Sequence, residues 1–215
     1  QYLLIGVGYG CAALGYYSAS HSTSVSLAVI LMFSFPAFVT LYSILFLQEQ
    51  ATAIKLISML LALTGVVCAS GIDLKGDITG ILWALFAALS YGSAIIYGSH
   101  NAKQDNPVTS ACIVLLGGML TFLTASFFQA AQWPLSYSGW TATAGLSIFA
   151  TIVPIAAFLA GSPKIGASNA STLSTLEPVV AILIATTLIG EQLSGLMLLG
   201  GGLVICSALM LSRQK

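Results

Sequence analysis

One carboxylate stands apart from every other charge in this chain. Glu177 lies about ten residues from either end of the run 167–189, which holds no other Asp, Glu, Lys or Arg. A carboxylate at the middle of a membrane span costs several kcal/mol unless it is paired, hydrated or protonated. Two kinds of chemistry would keep it there: holding a cationic or amine group of a solute, or carrying a proton coupled to that solute's movement. The structural alternative is a protonated Glu177 hydrogen-bonded to a neighbouring helix. Ser174, Asn169, Ser90, Tyr91 and Ser34 are the other polar side chains set in apolar stretches. Together with Glu177 they make the candidate substrate or proton site. For any single one, an interhelical hydrogen bond worth about 0.6 kcal/mol is an equally good use.

Pro36 and Pro178 are the candidate helix kinks. A proline inside a helix removes one backbone hydrogen bond and clashes with the preceding turn. In a membrane such an interruption is tolerated where the freed carbonyls face a cavity or a neighbouring helix. Pro154 reads as a further kink without a matched partner. The four cysteines, Cys11, Cys68, Cys112 and Cys206, lie inside apolar runs without CxxC spacing. They suggest neither a metal site nor a disulfide framework. No cofactor, metal or catalytic group is expected.

Elements must carry these residues, and composition says of what kind. Of 215 residues, 58% are hydrophobic and 6% charged, with six basic and six acidic side chains; mean hydropathy is +1.00. Soluble domains carry roughly 25% charged residues. So few charges exclude a water-soluble enzyme, a basic nucleic-acid-binding face and a disordered chain. A polytopic helical membrane protein remains. Apolar runs of about 20 residues, apolar on every side, argue for helices over barrel strands. Charges and polar breaks divide the chain into eight spans: 2–17, 24–47, 53–70, 78–98, 108–128, 139–160, 167–189 and a last one ending near Leu211. Trp133, Tyr137, Tyr16 and Tyr17 read as interfacial anchors. His21 and His100 read as solvated loop residues. The glycines Gly6, Gly10, Gly117, Gly118 and Gly200–Gly202 allow close helix approach, the last three offering a homodimer face. Alternating the loops puts Lys55, Lys103, Lys164, Arg213 and Lys215 on one side and Lys75 alone on the other. That bias places both ends in the cytoplasm.

The chain also matches itself at an offset of 142 residues. Pro36 pairs with Pro178, Glu49-Gln with Glu191-Gln, and Thr52 with Ser194. The offset joins span two to span seven, five crossings on, and an odd number of crossings reverses direction. Inverted repeats with a midplane site between the halves are the architecture of alternating-access carriers. Glu49 and Glu191 read as structural, each favoured by the helix N-terminus that follows it.

The proline-containing helix, the Gly190-Glu-Gln-Leu-Ser194 junction, the Gly-rich last helix and the segment Gly76–Tyr91 resemble the EamA domain of the drug/metabolite transporter superfamily. The resemblance implies two inverted five-helix repeats, with 1–72 as the last three helices of the first and 76–212 as the complete second. It implies that two leading helices, about 60 to 80 residues at about 20 per span, are absent from a ten-helix carrier. It further implies export of an amino acid or related solute, driven by proton motive force, in the inner membrane. The expected partners are a small-molecule substrate and the lipid bilayer, with no nucleic acid. A non-transporting membrane subunit and an intramembrane transferase are the alternative functions.

Overall fold

The structure is a computed structural model, and it describes residues 1–70, 77–101, 106–128, 133–184 and 194–212. Helices make up the fold, and no strand occurs among the described residues. They are α1 (Tyr2–Ser22), α2 (Val25–Met32), α3 (Phe35–Phe46), α4 (Ala53–Ser70), α5 (Ile78–Asn101) and α6 (Pro107–Ser126). Then follow α7 (Tyr137–Gly145), a π-helical stretch (Leu146–Ile152), α8 (Val153–Ile165), α9 (Ala167–Ser174), α10 (Glu177–Ile184) and α11 (Gly195–Ser212).

Four segments are long and apolar enough to cross a membrane: Leu27–Phe46, Ile78–Asn101, Val108–Ser126 and Tyr137–Ile165. The stretches Ala53–Cys68 and Gly195–Met210 are shorter apolar helices. Large apolar side chains such as Leu45, Phe46, Leu82, Phe149 and Leu198 are exposed along them. Such a surface suits hydrocarbon and not water. The chain is an integral membrane protein.

Several boundaries depart from the sequence expectation: α5 runs past 98 to Asn101, so His100 is helical and not in a loop. The polar run 18–23 does not end the first helix at Tyr17, because α1 continues to Ser22. Ser20 Oγ donates to the Tyr17 carbonyl at 2.8 Å, so its hydroxyl is satisfied within the helix. The sixth segment is longer than 139–160 and passes through the π-helical stretch just before Pro154. A proline cannot donate to the preceding turn, and widening that turn accommodates it.

The spans of Pro36 and Pro178 are both interrupted. α2 ends at Met32 and α3 starts at Phe35, with Pro36 in its first turn. α9 ends at Ser174 and α10 starts at Glu177, with Pro178 next. Three bounds of the first broken span recur 142 residues on in the second: 25 and 167, 32 and 174, 35 and 177. So do both ends of α4 and α11, 53 with 195 and 70 with 212. The late part of the seventh span, with Glu191, lies outside the described residues.

Close contacts give the helix directions. On α1 and α5, Gly8 meets Ala94 while Gly15 meets Trp83 and Ala87, so the two run antiparallel. On α1 and α6, Gly6 meets Val114 and Gly117 while Gly10 meets Thr121, so these run parallel. α4 and α11 run antiparallel, Gly65 lying against Gly200 and Val204 while Ser207 Oγ donates to the Ser58 carbonyl at 2.7 Å. Small residues permit this closeness, which in lipid supplies the packing energy that hydrophobic burial supplies in water. α5 is the central element, touching α1, α2, α3, α8 and α9. Its inward side is Gly80, Ala84, Ala87, Ala88, Gly92 and Ala94.

Candidate functional site

The main apolar cluster joins the two broken spans. Phe33 and Phe35 from the first pack with Ala167 and Val179 from the second, and Tyr91 and Leu176 lie against them. Phe35 is 1% exposed and meets the Tyr91 ring edge-on, centroids 4.7 Å apart at 74°. On its other side Tyr91 meets Tyr9 of α1 at 5.4 Å. Tyr91 is thereby held between a buried phenyl and a second tyrosine.

Glu177 opens α10 directly after Leu176, and its side chain is exposed. Its carboxyl lies within electrostatic reach of the hydroxyls of Tyr91 and Tyr16. It makes no ion pair or hydrogen bond among the described residues. A carboxylate within an apolar span costs several kcal/mol if it faces lipid unhydrated and ionised.

The candidates from sequence separate into two groups. Tyr91 and Glu177 come together. Ser90 follows on the same helix turn, half-buried, with its carbonyl beside Gly8. Asn169 has a buried Oδ1 with no hydrogen-bond partner among the described residues. Ser34 and Ser174 instead bond within their own spans, Ser34 Oγ to the Leu31 carbonyl at 2.6 Å and Ser174 Oγ to the Ala170 carbonyl at 3.0 Å. They line the helix breaks with hydroxyls already engaged. Pro36 and Pro178 sit one residue inside the half-helices that begin after those breaks.

Sequence reasoning missed Tyr9 and assigned Tyr16 to the interface. Both lie on one face of α1, seven residues or about two turns apart, and that spacing is the signal that points to them. It also missed the bond between Thr40 Oγ1 and Ser168 Oγ, 3.1 Å long and buried, which ties α3 to α9.

Glu49 has a different partner from the one its position suggests. Gln48 adopts a left-handed backbone, φ 56°, and returns the Glu49 N–H to the Ser43 carbonyl at 3.0 Å. Glu49 Oε2 then accepts from Lys55 Nζ at 2.8 Å. Its Oε1 lies 3.0 Å from where a Cβ on Gly166 would stand, so the carboxylate sits at the N-terminus of α9. Thr52 Oγ1 caps α4 by accepting from the Lys55 N–H at 3.3 Å. Glu49→Gln leaves the Lys55 ammonium buried without a carboxylate, which costs about 3 kcal/mol or more. Lys55→Met leaves Glu49 still facing the α9 N-terminus, which favours an anion. Thermal unfolding in detergent is therefore expected to show a larger drop for Glu49→Gln than for Lys55→Met. An equal or reversed order would contradict the assignment.

A cavity of about 440 Å³ lies between α1, α3 and α5, lined by Leu4, Gly8, Tyr42, Ser93, Tyr97 and His100 among others. That volume suits a small organic molecule.

The EamA-like transporter family model matches residues 1–71 and 78–213. An uncharacterized inner membrane transporter of Escherichia coli (strain K12), YedA, is 25% identical over 216 residues, 99% of this chain and 69% of its own. An uncharacterized transporter of Archaeoglobus fulgidus is 25% identical over 93% of this chain and 71% of its own. The Bacillus subtilis (strain 168) uncharacterized transporter YwfM is 30% identical over 73% of this chain and 53% of its own. A solved crystal structure superposes with a TM-score of 0.83 at 20% identity, over 98% of this chain and 75% of that chain.

Proposed function

This chain belongs to the EamA-like transporter family, and from that premise we propose that it works as a secondary carrier, exporting an amino acid or related small organic solute by alternating access. Residues 1–72 are the last three helices of one repeat and 76–212 the five helices of its inverted counterpart. Each interrupted pair counts as one crossing, α2 with α3 and α9 with α10. α7, the π-helical stretch and α8 together make another, giving eight spans. The observation that carries the proposal is the recurrence of both helix breaks at the 142-residue offset. The crossing of α4 and α11 supports the inversion. The contact of Ser58 with Ser207 and that of Gly65 with Gly200 exchange under the same offset, as a two-fold axis in the membrane plane requires.

The orientation we propose is supported by which connections meet. Glu49, between α3 and α4, touches Gly166, between α8 and α9. At the other end, the Asp77 N–H donates to the Ser22 carbonyl at 3.3 Å, joining the α1–α2 connection to the start of α5. Lys55 and Lys164 thus share one side, which the basic-residue bias makes cytoplasmic, with the protein in the inner membrane and both ends inside. The cavity between α1, α3 and α5 is then the cytoplasmic approach. Glu177, with Tyr91, Ser90 and Asn169, binds solute or the coupled proton at the midplane, and the two breaks are the hinges.

Alternating access is tested by cysteine labelling. With Cys11, Cys68, Cys112 and Cys206 replaced, Ser174→Cys is expected to react with a membrane-impermeant thiol reagent from either face of the membrane. Reaction from one face only, with or without solute, would sink the alternating-access reading.

A further inference from the structure

We infer that the seam between α3 and α9 is the inner gate of the carrier, closed and latched by Glu49, while the matching outer gate between α2 and α10 stands open. This goes beyond the alternating-access proposal and rests on it.

The offset of 142 residues maps α2 onto α9 and α3 onto α10. Two equally closed gates would therefore pack α2 on α10 just as α3 packs on α9. The two ends differ. α3 and α9 pack together, and Thr40 Oγ1 and Ser168 Oγ meet across their seam at 3.1 Å, both side chains buried. α2 lies instead against α1, α4 and α5, and α10 against α4 and α11, with no comparable seam between α2 and α10 among the described residues. α3 and α9 lie toward Lys55 and Lys164, and α2 and α10 lie on the far side of the two breaks. One half is thus sealed and the other parted, as a single state of an alternating-access carrier requires. Glu177, the first residue of α10, belongs to the parted half, and its side chain is exposed.

Glu49 ties the sealed half together. Its N–H is bonded to the Ser43 carbonyl near the end of α3, and its Oε1 stands at Gly166, where α9 begins. A carboxylate is favoured at a helix N-terminus, and Lys55 Nζ holds the other oxygen at 2.8 Å. The closed seam is not fully satisfied. Ser43 Oγ, and Ser162 Oγ one turn before Gly166, are buried without a partner among the described residues. Water reaching them on opening would recover that cost, so the seam can part. The offset repeats only half of the latch. It pairs Glu49 with Glu191 and Gly166 with Ser24, but Lys55 with Met197. The ammonium therefore belongs to the inner gate alone, which biases the resting carrier toward inner closure.

The test is disulfide trapping in vesicles, with the four native cysteines replaced. Thr40→Cys with Ser168→Cys puts two thiols where hydroxyls are 3.1 Å apart, within reach of a disulfide. Under mild oxidation this pair is expected to cross-link at least roughly tenfold faster than the matching outer pair, Ser26→Cys with Ile182→Cys. Once the inner pair is locked, an added Ser174→Cys is expected to react with an impermeant thiol reagent from the outer face only, and from both faces after reduction. Without the lock, Lys55→Met is expected to raise its labelling from the cytoplasmic face by roughly threefold. Monodisperse elution of each variant confirms that it folds. Equal cross-linking of the two pairs, cytoplasmic labelling that survives the lock, or no rise with Lys55→Met would overturn the inference. Solute uptake separates it from the proposal beneath it. Uptake that is as fast with the lock as without removes the gate and leaves the carrier standing. Labelling that switches with the lock, with no uptake of any solute after reduction, keeps the gate and removes the carrier.

Discussion

Replacing Glu177 with glutamine is expected to slow solute transport by roughly ten- to a hundredfold and to remove its response to a pH gradient. The amide has nearly the same volume and can still hydrogen-bond, so the half-helix that Glu177 begins should form as before. What the variant loses is the charge, and with it the ability to bind a proton or a cation. Hydrogen bonds to charged groups contribute about 1.5–3 kcal/mol, which sets the size of the loss. A purely structural Glu177, protonated and bonded to a neighbouring helix, would be replaced by glutamine with little change. Initial rates in vesicles, with and without an imposed gradient, decide between the two. Unchanged rate and unchanged response would end the functional role of this residue.

The second large effect is on folding. Gly6 and Gly117 face each other across α1 and α6, and a Cβ on either would run into the partner's backbone, Val114 O from Gly6 and Leu3 O from Gly117. Backbone on both sides cannot yield as a flexible side chain can. Gly6→Val or Gly117→Val must therefore push the helices apart, a penalty at or above the top of the usual 1–3 kcal/mol range for overpacking, roughly. Gly161 is the control: it lies within α8 with nothing within 4 Å of an added Cβ. Gly161→Ala should hold or raise stability, by about 0.5–1 kcal/mol from reduced backbone freedom. Thermal unfolding in detergent reads both. Wild-type midpoints for the valine variants would mean that α1 and α6 do not pack as described.

Much of the fold was legible because its signals are local or periodic. Ala53–Ser70 was readable to the residue, being bounded by Thr52 and by the polar run beginning at Gly71. The two prolines announce the interrupted spans, and the 142-residue offset relates their positions. The passage of α1 through 18–22 was not legible. A run of serines and a histidine reads as a loop, whereas hydroxyls can bond back to their own helix, as Ser20 does. The same back-bonding engages Ser34 and Ser174, which from sequence alone looked as available as Ser90. The pairing of Glu49 with Lys55 was hidden for another reason. Six residues is not a helix-face spacing, and the contact exists because Gln48 turns the chain with a left-handed backbone. Tyr9 was hidden by distance, its partner Tyr91 lying on another helix far along the chain.

The central claim is that this chain moves a small solute across a membrane through a site centred on Glu177. The direct measurement is uptake of labelled amino acids, amines and sugars into vesicles carrying the protein, with and without a pH gradient, beside the Glu177→Gln variant. The expected result is saturable movement of at least one class, faster with the gradient and largely lost in the variant. No movement of any solute class, with or without the gradient, would contradict it.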